Sequence, residues 1–382
     1  MSNNKKAPAI RFKGFNDDWE ERKLNTFSEY QSSKYSANQF ADLQATGSYP
    51  VFDANNQITC LDKYDQESGY ISIIKDGAGV GRVALRPGRS SIIGTMGYIL
   101  SKESDLHFLF NVVQKIDFNK YISGSTIPHV YYRDYGNMDF FVPTIKEQTQ
   151  IGKFFSNLDS LITLQKRKCD KLILLKKSML DKMFPKGKKS IPEIRFKGFN
   201  DDWEERKLGE LGSVAMNKRI FKDQTSEVGD VPFYKIGTFG GEPDAYIPRE
   251  LFEEYKVKYP YPEVGDILIS ASGSIGRTVE YIGEDEYFQD SNIVWLKHDG
   301  RLNNSFLKQF YMMVEWEGLE GSTIKRLYNK NILETQILLP SLAEQEKIGT
   351  FFRTLDNLTT LQKRKLEKLK IIKKSMLDKM FI

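Results

Sequence analysis

The sequence is poor in the residues from which metal sites and disulfides are built. It contains only two cysteines, Cys60 and Cys169, and they do not have the spacing of a paired-thiol motif. A disulfide framework is therefore not expected, and a reducing compartment fits this cysteine content. The three histidines, His107, His129 and His298, are equally scattered, so the sequence predicts no zinc site.

Long apolar runs are also missing. A membrane-spanning helix needs about 18 to 20 apolar residues in succession, and the segment "SSIIGTMGYIL" at 90–100 is too short. The opening letters "MSNNKKAPAI" carry no apolar signal core. We therefore expect a cytoplasmic protein with no membrane contact.

Common catalytic motifs are absent as well. The segment "GAGVGR" at 77–82 has the spacing of neither a phosphate-binding loop nor a dinucleotide site, so tight turns explain it better. The sequence has no Asn/Asp-Pro-Pro-aromatic segment, which adenine methyltransferases use to hold a flipped base, and no Gly-x-Ser-x-Gly turn. The chain is predicted to be non-catalytic.

One weak match to a nuclease motif leaves an alternative open. The segment "PDAYIPRELFEEYK" places Asp244, Glu254 and Lys256 in the order of residues that hold Mg²⁺ beside a lysine in some nucleases. Pro248 interrupts the hairpin that usually joins such residues, and the first half of the chain has no counterpart. Surface charges on a turn explain the match more simply.

What the sequence does contain is an internal repeat. The fifteen letters "IRFKGFNDDWEERKL" occur at 10–24 and again at 194–208. A second pair of similar segments, each ending in "KKSMLDKMF", lies at 151–184 and 348–381. "GSTI" also occurs twice, whereas the segments between these anchors are only loosely alike. A constant frame around divergent centres indicates two related domains with different tasks.

The segments 147–184 and 343–382 are predicted to be long helices. A linker at 185–193 joins the first of these helices to the second half of the chain. Their apolar residues alternate at four and three positions, which is typical of a coiled-coil seam, and Pro185 and Gly187 end the first helix. Antiparallel pairing within the chain would give a pseudo-two-fold molecule. The predicted seam comprises Ile151, Phe155, Leu158, Gln165, Leu172, Met179, Ile348, Phe352, Leu355, Gln362, Leu369 and Met376.

Gln165 and Gln362 occupy the same position in the two predicted seams. A buried polar pair at such a position can fix the register of two helices at some cost in stability. Alternatively, each amide reaches the rim of the seam and is solvated. The sequence leaves both interpretations open.

The blocks 1–146 and 194–342 are predicted to be mixed α+β domains, because short β-rich runs alternate with glycine, aspartate and helical segments.

The net charge of +5 does not mark the whole chain as a nucleic-acid binder. Each of 147–186 and 344–382 alone carries +5, whereas 187–343 is acidic. A DNA-binding surface on the large blocks must therefore be local.

Local clusters of basic, aromatic and hydroxyl side chains occur at related places in the two halves. Such residues neutralise phosphates and read base edges, although solvated helix faces and core aromatics have the same composition. The candidate DNA-binding residues are Lys34, Tyr35, Arg82, Ser125, Thr126, His129, Tyr131, Arg133, Lys218, Arg219, Lys222, Lys235, Arg277, Ser322, Thr323, Lys325, Arg326, Tyr328 and Lys330.

The repeated opening peptide, the "GSTI" segments and the paired "TLQKRK…KKSMLDKMF" helices resemble specificity (HsdS) subunits of type I restriction–modification systems. The resemblance covers nearly the whole chain. It implies an α+β fold with two globular target-recognition domains separated by two long antiparallel coiled-coil helices. Each domain would bind one half of a bipartite target in double-stranded DNA.

The resemblance also implies partners. The helices would dock two methyltransferase (HsdM) subunits, and restriction/translocase (HsdR) subunits would join them. No cofactor is expected in this chain; S-adenosylmethionine, ATP and Mg²⁺ would be bound by the partners. The alternatives are a stand-alone Mg²⁺-dependent nuclease, a coiled-coil scaffold that does not bind DNA, and a two-domain specificity subunit of another restriction architecture.

Overall fold

The computed structural model describes residues 7–35, 47–187, 189–321 and 325–382. The chain divides into two compact units, one formed by Met1–Arg167 with Lys363–Ile382 and the other by Lys168–Gln362. Both units are mixed α and β. Among the described residues, no helix combines the length and the apolar character needed to cross a membrane.

The first unit contains a four-stranded, a three-stranded and a two-stranded sheet, with strand orders β2-β8-β5-β6, β4-β3-β7 and β1-β9. Its strands are β1 (Glu20–Lys23), β2 (Ser28–Ser32), β3 (Tyr49–Phe52), β4 (Gln57–Leu61), β5 (Tyr70–Ile74), β6 (Val83–Arg86), β7 (Ser91–Ile92), β8 (Met96–Ser101) and β9 (Asp139–Val142). Its short helices are α1 (Leu24–Phe27), α2 (Leu106–Gln114), α3 (Tyr132–Tyr135) and a 3-10 turn, Phe118–Tyr121. The central strand β5 is buried along its whole length, as its run of apolar letters predicts.

The second unit has the same sheets in the same order: β11-β17-β14-β15, β13-β12-β16 and β10-β18. Its strands are β10 (Glu204–Lys207), β11 (Gly212–Ala215), β12 (Val231–Tyr234), β13 (Tyr246–Ile247), β14 (Ile267–Ser270), β15 (Thr278–Glu280), β16 (Tyr287–Phe288), β17 (Ile293–His298) and β18 (Gln336–Leu339). Its short helices are α5 (Leu208–Leu211), α6 (Arg249–Lys258), α7 (Asn304–Tyr311) and α8 (Asn329–Glu334), with a 3-10 turn, Lys222–Gln224. The divergent centres of the repeat therefore share one topology.

Helix α6 accounts for most of the greater length of the second centre. The connection between β4 and β5 runs from 62 to 69, whereas the connection between β13 and β14 runs from 248 to 266 and contains α6. Pro248 is the N-cap of α6, a place where its missing N–H costs nothing.

Two long helices, α4 (Ile145–Met183) and α9 (Leu342–Met380), each contribute to both units. In the first unit, Asp159 of α4 and Lys373 of α9 form an ion pair of 2.6 Å. In the second unit, Lys176 of α4 and Asp356 of α9 form the equivalent pair at 2.7 Å. With the aromatic contacts described below, these pairs show that the two helices run antiparallel within each unit.

The predicted seam positions differ in burial. Ile151, Phe155 and Leu158 are buried in the first unit, and Ile348, Phe352 and Leu355 are buried in the second. Gln165 is buried, whereas Leu172, Met179, Gln362, Leu369 and Met376 are half-buried. Coiled-coil pairing along the full length of the helices stays a prediction.

The repeated opening peptide is fixed to the first turn of the long helix in each unit. Arg11 donates two hydrogen bonds to the fully buried carboxylate of Glu147, at 2.7 and 2.8 Å. Arg195 binds Glu344 with the same two distances. These bonds raise the pKa of both arginines above the ordinary value. Because removing one partner of a buried pair costs about 3–5 kcal/mol, the Arg and Glu letters must be kept together in both copies.

The glutamine that follows each of these glutamates connects the long helix to a short helix of the same unit. The amide of Gln148 accepts a hydrogen bond from the backbone N–H of Asp105, the N-cap of α2, and donates one to Pro143 O. Gln345 makes the same two contacts with Asn303 and Pro340. A Cβ on Gly152 would lie 2.2 Å from Asp105 Oδ1, so glycine is required where the two helices approach.

The end of each long helix closes an aromatic cluster. Phe381 packs against Trp19, Phe108 and Phe155, with ring centroids 6.4, 5.4 and 5.9 Å apart. In the second unit, Phe184 packs against Trp203, Phe306 and Phe352 at 5.8, 5.2 and 6.4 Å. The backbone of the opening peptide adds a hydrogen bond to each helix end, from Ile10 N to Lys379 O and from Ile194 N to Lys182 O, both of 2.9 Å.

Replacing Phe381 by alanine should destabilise the first unit, because Phe→Ala in a core typically costs about 3–5 kcal/mol. Hydrogen–deuterium exchange, read separately for peptides of the two units, would measure the loss. Phe184→Ala should have the same effect on the second unit. The exposed neighbour Ile382 serves as control, since Ile382→Ala should change stability by less than about 0.5 kcal/mol. Faster exchange in the second unit alone after Phe381→Ala would contradict this packing.

Candidate DNA interface

In each unit, residues on either side of the "GSTI" segment pair with each other and with the loop that follows the buried central strand. We call each of these paired sets a hairpin. In the first unit, Ser123 and His129 exchange two backbone hydrogen bonds of 2.9 and 2.7 Å, and His129 also bridges to Asp76. In the second unit, Glu320 and Arg326 exchange the same bonds at 3.2 and 2.8 Å, and Arg326 bridges to Ser272. The backbone pattern therefore places His129 and Arg326 at equivalent positions.

In the first unit this hairpin and the adjoining helix α3 carry a stack of three side chains. The rings of His129 and Tyr131 are nearly parallel, with an interplanar angle of 19° and centroids 6.2 Å apart. The guanidinium of Arg133 lies 4.9 Å from the centre of the Tyr131 ring. Tyr131 is 43% exposed, and most of the Arg133 side chain is exposed. An exposed aromatic and cationic array of this kind suits contact with nucleic acid.

A hydrogen bond to Asp76 orients the ring of His129. Nδ1 of His129 lies 2.7 Å from Oδ1 of Asp76, and Lys75 Nζ lies 3.3 Å from the other carboxylate oxygen. An ionised carboxylate only accepts hydrogen bonds, so Nδ1 carries the proton of that bond. Asp76 and Lys75 were not among the residues predicted from the sequence. The sequence feature that could have drawn attention to Asp76 is its place directly before the glycine-rich segment at 77–82.

In the second unit the hairpin carries Arg326, which is followed by Tyr328 and by Lys330 on α8, and all three side chains are exposed. Arg326 and Tyr328 line a concave surface of about 340 Å³ together with Ser291 and Lys330. Within the described residues, the Arg326 guanidinium makes no ion pair or side-chain hydrogen bond. Lys325, also predicted, is exposed at the edge of the described hairpin.

Ser125 and Thr126 are exposed at the tip of the first hairpin. Their predicted counterparts Ser322 and Thr323 lie outside the described residues.

The glycine-rich segments are turns of β-hairpins, as the sequence predicts. Gly81 N donates to Ile74 O across the β5–β6 turn, and Gly276 N donates to Ser270 O across the β14–β15 turn. Gly81 has a φ of 84°, and a Cβ there would lie 2.4 Å from Phe118 Cβ, so the turn needs glycine. The adjacent Arg82 donates to Asn55 Oδ1, and Arg277 donates to Phe239 O, each at 2.8 Å.

Several other predicted residues already have partners within the protein. Arg219 pairs with Asp290 at 2.9 Å, and Lys235 pairs with Asp244 at 2.9 Å. Lys218 lies 5.2 Å from the centre of the Tyr259 ring. Lys34 and Lys222 are exposed, whereas Tyr35 is half-buried in a bridge to Ile93, and burial raises its pKa.

The nuclease alternative receives no support from the side chains. Asp244 pairs with Lys235, Glu254 with Lys258, and Lys256 with Asp285. Glu254 and Lys256 are two positions apart on α6, so they do not share a helix face. The described residues include no group of three or more His, Cys, Asp or Glu side chains that could hold a metal ion.

The long helices expose apolar side chains at repeated positions. Leu161 and Leu164 on the first-unit part of α4 are 52% and 51% exposed. Leu358 and Leu361 on the second-unit part of α9 are 41% and 47% exposed. Single exposed leucines are common, but the same pair at the same place in both repeats indicates a contact surface.

Comparison with known proteins gave one family and several relatives. The family model described as "Type I restriction modification DNA specificity domain" matches residues 16–173 and again 200–371. A Haemophilus influenzae protein named as a type I restriction enzyme specificity subunit is 37% identical over 325 residues, covering 84% of this chain and 83% of its own. The MjaVIII specificity subunit of Methanocaldococcus jannaschii is 25% identical over 401 residues, covering 95% and 92%.

A solved structure has a similar fold. The S subunit of a type I restriction–modification system from M. genitalium matches with a TM-score of 0.63 at 18% identity, covering 98% of this chain and 99% of its own. At this identity, the match concerns the fold.

Arg133→Ala and Lys330→Ala should each weaken binding of double-stranded DNA to a similar degree on all sequences. If each side chain neutralises one phosphate, as predicted, the slope of log affinity against log salt should fall by about 0.9 in each variant. Fluorescence anisotropy at several salt concentrations, with the partner subunits present, would measure it. Arg89→Ala is the matched control, because Arg89 is similarly exposed but lies outside the hairpins. An unchanged slope in both the Arg133 and the Lys330 variant would contradict phosphate contact.

Proposed function

The chain belongs to the family of type I restriction–modification DNA specificity proteins, and we propose that it selects the DNA sequence on which a restriction–methylation complex acts. The observation that carries this proposal is the occurrence, in two units of one topology, of equivalent exposed hairpins with different side chains. Each unit recognises one half of a bipartite target. Two different faces on a common frame suit two different half-sites.

The chain is a recognition subunit and not an enzyme. In this proposal, methyltransferase subunits bind S-adenosylmethionine and flip the target adenine. Restriction/translocase subunits bind ATP and Mg²⁺ and cut the DNA. The arrangement of Asp244, Glu254 and Lys256, each paired with another residue, agrees with this division of tasks. Since the target is cellular DNA, we place the complex in the cytoplasm.

The methyltransferase subunits dock on the exposed leucines of the long helices. Leu161 with Leu164, and Leu358 with Leu361, form two equivalent apolar pairs beside basic residues. Equivalent surfaces bind equivalent partners, so the proposal assigns one methyltransferase subunit to each pair. Because the methyltransferase subunits dock on the helices, the net negative charge of the second domain does not oppose their binding.

The long helices also determine the spacing of the two half-sites in this proposal. A helix of 39 residues rises by about 1.5 Å per residue and is about 58 Å long. That length exceeds one turn of DNA, about 34–36 Å, and leaves room for the width of the domains. Antiparallel coiled-coil pairing, and recognition domains at 1–146 and 194–342 with a linker at 185–193, belong to the same proposal.

Replacing residues 212–335 by the corresponding segment of a relative should change one half of the methylated motif only. The exchanged segment begins at β11 and ends before β18, so the Arg195–Glu344 pair and the contacts of Phe184 with Trp203 and Phe352 are kept. The donor segment must supply an aromatic residue at the place of Phe306, which also packs on Phe184. Methylome sequencing of cells that carry the partner subunits would identify the motif. Exchange of residues 28–138 is the matched control and should change the other half. A change of both halves, or of neither, after a single exchange would refute this assignment.

The double substitution Leu161→Asp with Leu164→Asp should reduce the number of bound methyltransferase subunits from two to one. Charged side chains at the centre of an apolar contact remove its buried area and leave unpaired charges. Native mass spectrometry of the complex would count the subunits. Asn157→Asp, an exposed change on the same helix, is the control and should leave two subunits bound. Retention of both subunits by the double variant would rule out this docking surface.

A further inference from the structure

His129 and Arg326 occupy one structural position in two chemical forms. Each residue lies on the return strand of its hairpin, with the same backbone bonds to the other strand. The residue that follows each one donates its N–H to the loop after the central strand, from Val130 to Lys75 O at 2.9 Å and from Leu327 to Ala271 O at 2.8 Å. Two residues further along, both hairpins carry an exposed tyrosine, Tyr131 or Tyr328. The shared surroundings mean that the two side chains present different chemistry from the same place.

The side-chain partners of this position differ in a matched way. Where the first unit has Asp76, which binds His129, the second unit has Ser272, whose hydroxyl donates to Asn292 Oδ1 at 2.7 Å. Asp76 accepts the hydrogen bond from His129 Nδ1. In the uncharged form of the imidazole, the acceptor lone pair then lies on Nε2. Within the described residues, Nε2 has no hydrogen-bond partner, and the side chain is one-third exposed. The bond to Asp76 therefore holds the ring in one orientation, in which Nε2 of the uncharged form is an acceptor.

Arg326 has the opposite character. A guanidinium only donates hydrogen bonds, and its planar fork matches two acceptors side by side. Ser272 leaves this donor unpaired, whereas an aspartate at that place would bind it. In the major groove, guanine offers two adjacent acceptors, O6 and N7, whereas adenine and cytosine offer an exocyclic amino donor.

We propose that positions 129 and 326 read corresponding base pairs of the two half-sites, with His129 selecting a base that presents an amino donor, adenine or cytosine, and Arg326 selecting guanine. This inference rests on the proposed function and names the residues that distinguish the two half-sites at one place. Asp76 and Ser272 are positioning residues: they set which hydrogen-bonding group is free. Arg133 and Lys330 contact phosphates and do not discriminate between bases.

The experiment exchanges the two chemistries between the units. One variant combines His129→Arg with Asp76→Ser, and the other combines Arg326→His with Ser272→Asp. Each is assembled with its partner subunits and tested for binding on a library in which every position of the motif is randomised. The first variant should change one position of the first half-site from adenine or cytosine to guanine. The second should change one position of the other half-site from guanine to adenine or cytosine.

Arg326→Ala keeps the inference testable if an exchanged variant does not fold. It should lose discrimination for guanine at a single position by about 5- to 150-fold, the range for one bidentate contact, while all other positions keep their preference. Lys102→Ala, an exposed change remote from both hairpins in sequence, is the control and should leave every preference unchanged.

The outcomes separate this inference from the proposed function. If the wild-type complex selects a bipartite motif but Arg326→Ala leaves every base preference intact, the inference is wrong and the proposed function stands. A uniform loss of affinity with Arg326→Ala would show phosphate contact and also overturn it. If the wild-type complex selects no motif, the proposed function itself fails.

Discussion

Closure of each aromatic cluster by the end of a long helix is the contact on which the rest of the structure depends. Phe381 completes the cluster of Trp19, Phe108 and Phe155, although it lies at the other end of the chain. Phe184 does the same for Trp203 in the second unit. Each unit therefore needs part of both long helices to complete its core. As a result, a change at Phe381 affects the core around Trp19, and a change at Phe184 affects the core around Trp203.

This dependence explains why the frame is copied while the centres differ. The Arg11–Glu147 and Arg195–Glu344 pairs, the bridging glutamines and the helix-end phenylalanines must fit each other across the repeat, so no member can change alone. The hairpins are subject to a weaker constraint. Backbone bonds fix the path of the chain at positions 129 and 326, and those bonds tolerate any side chain that solvent or DNA accepts.

Much of the architecture could be predicted from the sequence, because repeats and helical periodicity are local signals. The long helices and the burial of Ile151 and Phe155 follow from the spacing of apolar residues. The common topology of the two centres could not be predicted from their loose similarity, since sheet order depends on pairings between distant strands. The Asp76–His129 contact joins residues 53 positions apart, and composition cannot reveal such a partner. Equally, composition could not show that Arg219 and Lys235 are already paired with Asp290 and Asp244.

One chimera addresses the idea that a two-fold frame presents two independent reading surfaces. In it, residues 212–335 are replaced by a second copy of residues 28–138, and the complex is assembled with its partner subunits. If the proposed antiparallel frame is right, methylome sequencing should then find a motif whose two halves are identical and inverted. A motif with directly repeated halves, or one that keeps the original second half, would contradict this picture of the molecule.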